Sequence, residues 1–208
     1  IECMINIAEN IQDFLNPCSV QNDPTGQKFG RYQSWDIVYE DFKKSNEPDF
    51  LARSLAIYLA SWGMMRGSSK LLSDYNYRIH IEAVNKLLPY LDDLRSYPTQ
   101  KTEIDDYVKM TWKVIGELKE YYSGWGVSDT DTLMTKILLG TVAATPAYDR
   151  YFKMFLKQRG LTQALGIKSL SEVWGLYFKV KEDLKDLNYP AMKLLDMAGF
   201  QYGKSVKG

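Results

Sequence analysis

The sequence predicts an all-α protein, on three observations. Apolar residues recur at spacings of three and four almost throughout the chain. Alternating apolar and polar runs bounded by turn residues, the mark of strands, are nearly absent. Pro, Gly, Asn and Asp then divide the chain into about nine segments of helical length. A length of 208 residues with 45% hydrophobic content is ample to bury a core without metal or disulfide. We expect one globular domain over 1–208, with the polar stretch Ser96 to Thr102 as the candidate boundary between two helical lobes.

Taken in order, Ile5, Ala8, Ile11 and Leu15 make one face of a first helix that Asn16-Pro17 ends. Asn22 to Gly30 reads as a polar Pro/Gly loop. Ser34 can cap a second helix bearing Trp35, Val38, Tyr39 and Phe42. Asn46-Glu47-Pro48 opens a third, with Phe50, Leu51, Leu55, Tyr58, Leu59 and Trp62 toward the core. A fourth follows Asp74 to Asn76 and presents Ile79, Ala83, Val84, Leu87 and Leu91. The fifth carries Ile104, Tyr107, Val108, Thr111, Ile115, Leu118 and Tyr122 and stops at Ser123-Gly124. Asp131 to Leu161 supplies two more, an apolar helix and a basic amphipathic one. Ser169 and Glu172 form a capping-box pattern before Leu170, Val173, Trp174, Tyr177 and Phe178. Pro190 suits the first position of a last short helix ending near Gly199, and Gly203 to Gly208 reads as a frayed tail.

Charge and composition exclude several functions. Lys plus Arg and Asp plus Glu both total 26, so no global field favours nucleic acid or anionic membrane, and an anion site must be a local patch. Cys3 and Cys18 are read as free thiols of a reducing compartment. No apolar run reaches membrane-spanning length and no signal peptide is visible, so a cytoplasmic protein without membrane association is expected. His80, the one histidine, excludes a His-rich metal centre and reads as a helix-face or partly buried residue. No metal and no cofactor is expected, since neither G-x-x-x-x-G-K nor G-x-G-x-x-G occurs.

Two segments could carry chemistry. In SWGMMRGSS, Ser61 to Ser69, Gly63 and Gly67 permit close packing or a chain reversal, and Arg66, Ser68 and Ser69 can hold an anion. The plainer reading is a Gly-softened helix with Ser68 or Ser69 as a cap. Trp62, Arg66, Ser68, Ser69 and Tyr148 are the candidate pocket residues. The second segment, Asp131 to Leu161, is sharper. Thr145-Pro146 breaks the apolar helix, and Asp149 stands where an N-cap belongs, able to accept from the amides of Tyr151 or Phe152. Beyond it Arg150, Lys153 and Lys157 share a basic face able to meet phosphates, opposite Tyr151, Phe152, Phe155 and Leu156. An ordinary solvated face is the alternative.

This order of helix, break, Asp and positive helix closing in Arg159-Gly160-Leu161 resembles the catalytic region of helix-hairpin-helix DNA glycosylases, over about thirty residues. The resemblance implies that Asp149 is the catalytic carboxylate, stabilising positive charge on the sugar and positioning the nucleophile. It also implies Arg150 and Lys153 as phosphate contacts, and a base flipped into a pocket between two lobes. Where the family carries its Gly-rich hairpin, Ser128 to Thr132 reads SDTDT, and Lys136 is closer to Asp149 than the lyase lysine of bifunctional members. The segments SWGMMRGSS, TKILLGT and PAYDRYF are also similar to helical proteins widespread in bacteria. DNA is thus the expected partner. The alternatives are an interaction or regulatory protein without chemistry, docking by an exposed aromatic or Met-rich patch, and a Tyr- and Trp-lined small-ligand pocket.

Overall fold

The computed structural model describes residues 6–16, 30–66, 69–128 and 130–206, and among them there is no strand. Cys3, Cys18, most of the Asn22 to Gly30 loop, Gly67 and Ser68 lie outside the described residues. The first helix, α1 (Ile7–Leu15), begins where the Asn6 side chain accepts from the Glu9 amide at 3.2 Å. It buries Ile7, Ile11 and Phe14, whereas the expected Ala8 and Leu15 are only half-buried and Ile5 is outside the described residues. The face turns toward Phe14 because that ring has aromatic partners, Tyr32 at 5.1 Å and Phe200 at 5.9 Å, both edge-on.

Helix α2 (Gly30–Lys44) starts ahead of Ser34, which is therefore buried inside the helix instead of capping it. Trp35, Val38 and Phe42 point inward, with Tyr39 stacked on Trp35 at 4.6 Å. Helix α3 (Pro48–Ser61) has Pro at its first position and buries Leu51, Leu55, Tyr58 and Leu59. Phe50, expected in the core, is exposed, because it shares the outward face with Arg53 and Ile57 at helical spacing.

Helix α4 (Ile79–Leu87) carries the expected apolar face, but Pro89 cannot donate to the ladder and forces a tight turn before α5 (Leu91–Arg95). Leu91 stays buried, so the face continues across the break that the sequence reading had passed over. Helix α6 (Ile104–Gly124) runs 21 residues and buries every apolar position expected of it. It also encloses His80, whose Nδ1 lies 2.7 Å from the Tyr122 hydroxyl. Burial pushes this imidazole down to about 4, so it is a neutral core group at pH 7.

Helices α7 (Asp131–Thr141) and α8 (Arg150–Gln158) occupy the segment singled out above. In α9 (Ile167–Val180) the Ser169–Glu172 pair does not form a capping box. Instead Ser169 donates to the Thr162 carbonyl at 2.6 Å and Glu172 accepts from the Thr162 amide at 2.7 Å, fastening the preceding loop. The last helix, α10 (Ala191–Ser205), follows Pro190 and runs through both Gly199 and Gly203, so Gly203 to Ser205 is helix and not tail. These glycines are contact points for α8. A Cβ on Gly199 would stand 2.4 Å from a Phe152 ring carbon, and one on Gly203 would stand 2.6 Å from the Tyr151 Cα.

Buried apolar residues from α1 through α10 form one continuous cluster. No helix among the described residues is long and apolar enough to cross a membrane. The close α8–α10 contact makes a direct prediction. Gly203→Ala forces the two backbones apart and lowers unfolding stability by about 1–3 kcal/mol. Gly175→Ala in α9 meets open space, and there the helix-propensity gain raises stability by about 0.5–1 kcal/mol. Urea titration of both variants checks the contrast.

Candidate functional site

Connections normally run over the surface, because a buried peptide group needs a partner. The link from α7 to α8 does the opposite, with Val142 through Tyr148 all buried. Side chains bond several of its peptide groups and the last-turn carbonyls of α7 that lead into it. Trp35 Nε1 donates to the Leu139 carbonyl at 2.7 Å, Arg95 to the Thr141 carbonyl at 3.1 Å, and the Tyr97 hydroxyl to the Val142 carbonyl. The Ala147 amide donates to Asp196 Oδ1 at 3.0 Å and the Tyr148 amide to Thr135 Oγ1 at 2.8 Å. Thr132 closes the set by donating to the Tyr148 carbonyl at 3.1 Å. Ala143 takes a left-handed conformation at φ 51° to make the reversal.

Asp149 comes at the end of this clamped link. Its backbone is extended, and Oδ1 accepts from the Phe152 amide at 2.9 Å, one of the two amides expected from sequence. Oδ2 lies 3.7 Å from Lys136 Nζ, on α7. The Lys136 side chain is 6% exposed and that of Asp149 is 20% exposed, so Asp149 is the more open of the two. The same ammonium sits 4.7 Å from the centre of the Trp62 ring, at the end of α3. Asp149 and Trp62, two of the sequence candidates, are therefore joined through Lys136, which was not one of them. Its signal was a lone Lys within the apolar run TLMTKILLG, since a buried ammonium requires a partner.

A second pair lies beside the first. Lys193 and Asp196 of α10 are 3.6 Å apart, with the Lys193 side chain 2% exposed and its Nζ about 5 Å from the Phe14 and Trp35 rings. Burial pushes the Lys193 ammonium down and the Asp196 carboxyl up, each opposed by the attraction of the other. Lys136 lowers Lys193 further and Asp149 raises Asp196 further, which couples the pairs. Asp36 of α2 is raised by burial and eased by Lys193. The enclosed Tyr58 hydroxyl is held well above its usual range, by burial first and then by Asp196 and Asp149. Sequence reasoning missed this layer, although Lys and Asp three apart inside AMKLLDMAGF signal a paired charge on a buried face.

The remaining candidates fall in other places. Arg150 is exposed, its guanidinium 5.6 Å from the Tyr151 ring centre, and Lys157 is exposed on the same helix. Lys153 lies 3.8 Å from Asp131, which also takes Lys119 at 3.1 Å, so part of the basic face is neutralised within the protein. Arg66 is exposed at a turn in which Ser69 Oγ donates to the Arg66 carbonyl at 3.2 Å. Tyr148 is fully enclosed, its hydroxyl 2.8 Å from Ser169 Oγ, so it is a core residue and not a pocket wall. Ser68 lies outside the described residues. Within SDTDT, Thr130 caps α7 by accepting from the Leu133 amide. Among the described residues no group of His, Cys, Asp or Glu is arranged to hold a metal ion.

No protein-family model, curated protein or solved structure matches the chain, so the site is read from its own geometry. That geometry offers one partly exposed carboxylate, fixed by a helix N-terminus and by an ammonium that also lies over the Trp62 indole. Removing the carboxylate leaves Lys136 buried without its ion pair. Asp149→Ala should therefore cost about 3 kcal/mol, beyond the ~1 kcal/mol of a lost cap. Adding Lys136→Met should return part of that loss. A double-mutant cycle by urea titration measures it, and strictly additive effects would contradict the pairing.

Proposed function

We propose that the chain acts on DNA in the manner of a DNA glycosylase, with Asp149 as the working carboxylate. One observation carries the reading. The Asp149 carboxylate is held in fixed orientation, Oδ1 on the Phe152 amide and Oδ2 facing Lys136, its side chain is 20% exposed, and the same Lys136 ammonium lies over the Trp62 ring. Hydrolysis of an N-glycosidic bond asks for such a group. As the C1′–N bond breaks, its electron pair leaves with the base and positive charge gathers on C1′ and the ring oxygen. A preorganised carboxylate stabilises that charge without reorganising. A water oxygen then bonds to C1′, and a water proton passes to the departing base. The half-buried Trp62 ring, which carries the Lys136 ammonium over it, is the aromatic group that an unstacked base would meet, and Arg150 and Lys157 are exposed cations that would meet phosphate.

The test uses duplex oligonucleotides carrying a panel of damaged or mismatched bases, with strand scission at abasic sites as readout. Asp149→Asn keeps an oxygen for the Phe152 amide but removes the charge facing Lys136, so circular dichroism first verifies that the variant is folded. The wild-type chain is expected to bind DNA at about 50 mM salt and to release a base. Asp149→Asn should bind equally but release it at least ~100-fold more slowly. Absence of DNA binding at low salt, or full activity in Asp149→Asn, contradicts the proposal.

A further inference from the structure

Three large apolar side chains stand out on one face of the molecule: Ile37 is 62% exposed, Phe50 45% and Ile57 67%. They belong to α2 and α3, which three residues join into an antiparallel pair. Ser54 Oγ donates to Asp41 Oδ2 at 2.6 Å, which fixes the relative level of the two helices. With Asp41 level with Ser54, one helical turn along sets Ile37 level with Ile57. The outward strip of α2 thus reads Ile37, Asp41, and that of α3 reads Ile57, Arg53, Phe50. Between the strips runs a shallow, mostly apolar groove of about 200 Å³, with Val38 and Tyr58 in its walls.

We propose that this face binds a second copy of the same chain, about a two-fold axis parallel to α2 and α3. Rotation about an axis in the contact plane and parallel to the helices preserves level and exchanges the two strips. It lays α2 of one copy on α3 of the other. Ile37 then meets Ile57 of the second copy, and Asp41 meets Arg53 of the second copy, each contact occurring twice. A two-fold perpendicular to the helices instead lays α2 on α2 and separates Asp41 from Arg53 of the second copy.

The charges favour it in two further ways. Arg53 is held by Asp49 at 2.8 Å and lies 4.6 Å from the Tyr77 ring, so little side-chain freedom is lost when it receives a carboxylate. The chain has no net charge, so two copies approach without long-range repulsion. Along the contact the Asp41–Arg53 pairs lie between the isoleucine contacts and Phe50. It is independent of the Asp149 site and of any action on DNA.

Sedimentation equilibrium of the full chain over a concentration series tests this. The wild type is expected to follow a reversible monomer–dimer equilibrium. Ile57→Asp places a carboxylate in the apolar contact with Ile37 of the second copy and should raise the dissociation constant roughly 100-fold. Asp41→Arg and Arg53→Glu should each weaken self-association, because each sets like charges against one another. Mixed in equal amounts, those two variants should form a heterodimer about as tight as the wild-type dimer, since the mixed pair restores opposite charges in both 41–53 contacts. Circular dichroism verifies that each variant is folded. A wild type that stays monomeric at every attainable concentration overturns the proposal and assigns the groove to a different occupant. A dimer that Ile57→Asp leaves intact, or a charge-swapped mixture that stays monomeric, overturns it equally.

Discussion

The structure depends on one constraint: the link between α7 and α8 is buried, and each buried peptide group in it must find a partner. The partners come from far along the chain. Tyr97 from the α5–α6 connection and Asp196 from α10 bond the link at Val142 and Ala147, while Trp35 from α2 and Arg95 from α5 bond the last-turn carbonyls of α7 that lead into it. An unmatched buried donor or acceptor costs about 1–3 kcal/mol, so these elements are positioned by what the link requires as much as by apolar burial. The close passage of α10 against α8, permitted by Gly199 and Gly203, brings Asp196 to the Ala147 amide. Asp149 inherits its place from this arrangement.

The two ion pairs follow from the same enclosure. At about 4 Å, with an effective dielectric constant near 20, opposite charges attract by roughly 4 kcal/mol. Desolvation of each ion costs several kcal/mol. The attraction offsets only part of that cost, and the rings of Trp62, Phe14 and Trp35 beside the ammonium groups add a modest cation–π attraction. The pairs therefore contribute position more than stability. Lys136 holds Asp149 Oδ2 while the helix end holds Oδ1, so the carboxylate cannot rotate without losing one of them. An orientation fixed in that way is what a charge-stabilising group needs before substrate arrives.

The sequence made legible what is local and periodic. Helical spacing located the helices, and the Asp149 cap was readable because its acceptor and donor are three residues apart. What depends on a distant partner was not readable. Gly199 looked like a helix end, yet Gly serves equally where another backbone presses close, and only α8 decides between the two. Ser169 and Glu172 have capping-box spacing, but Thr162 claims both side chains. Phe50 fitted a helical period, and α3 has apolar residues on more than one face, so periodicity alone could not say which face is buried. The Lys136–Asp149 pair joins a helix to a residue beyond a turn whose shape the left-handed Ala143 sets, and no spacing rule foretells it.

Amide hydrogen exchange at Ala147 and Tyr148 tests the central claim most directly. Both amides are bonded to side chains of the clamp, one to Asp196 and one to Thr135. If the link is the constraint on which the fold rests, these two amides exchange only when the whole molecule unfolds, with a protection free energy equal to the stability measured by urea titration. Exchange through local opening, at a free energy several kcal/mol below that value, would contradict the account.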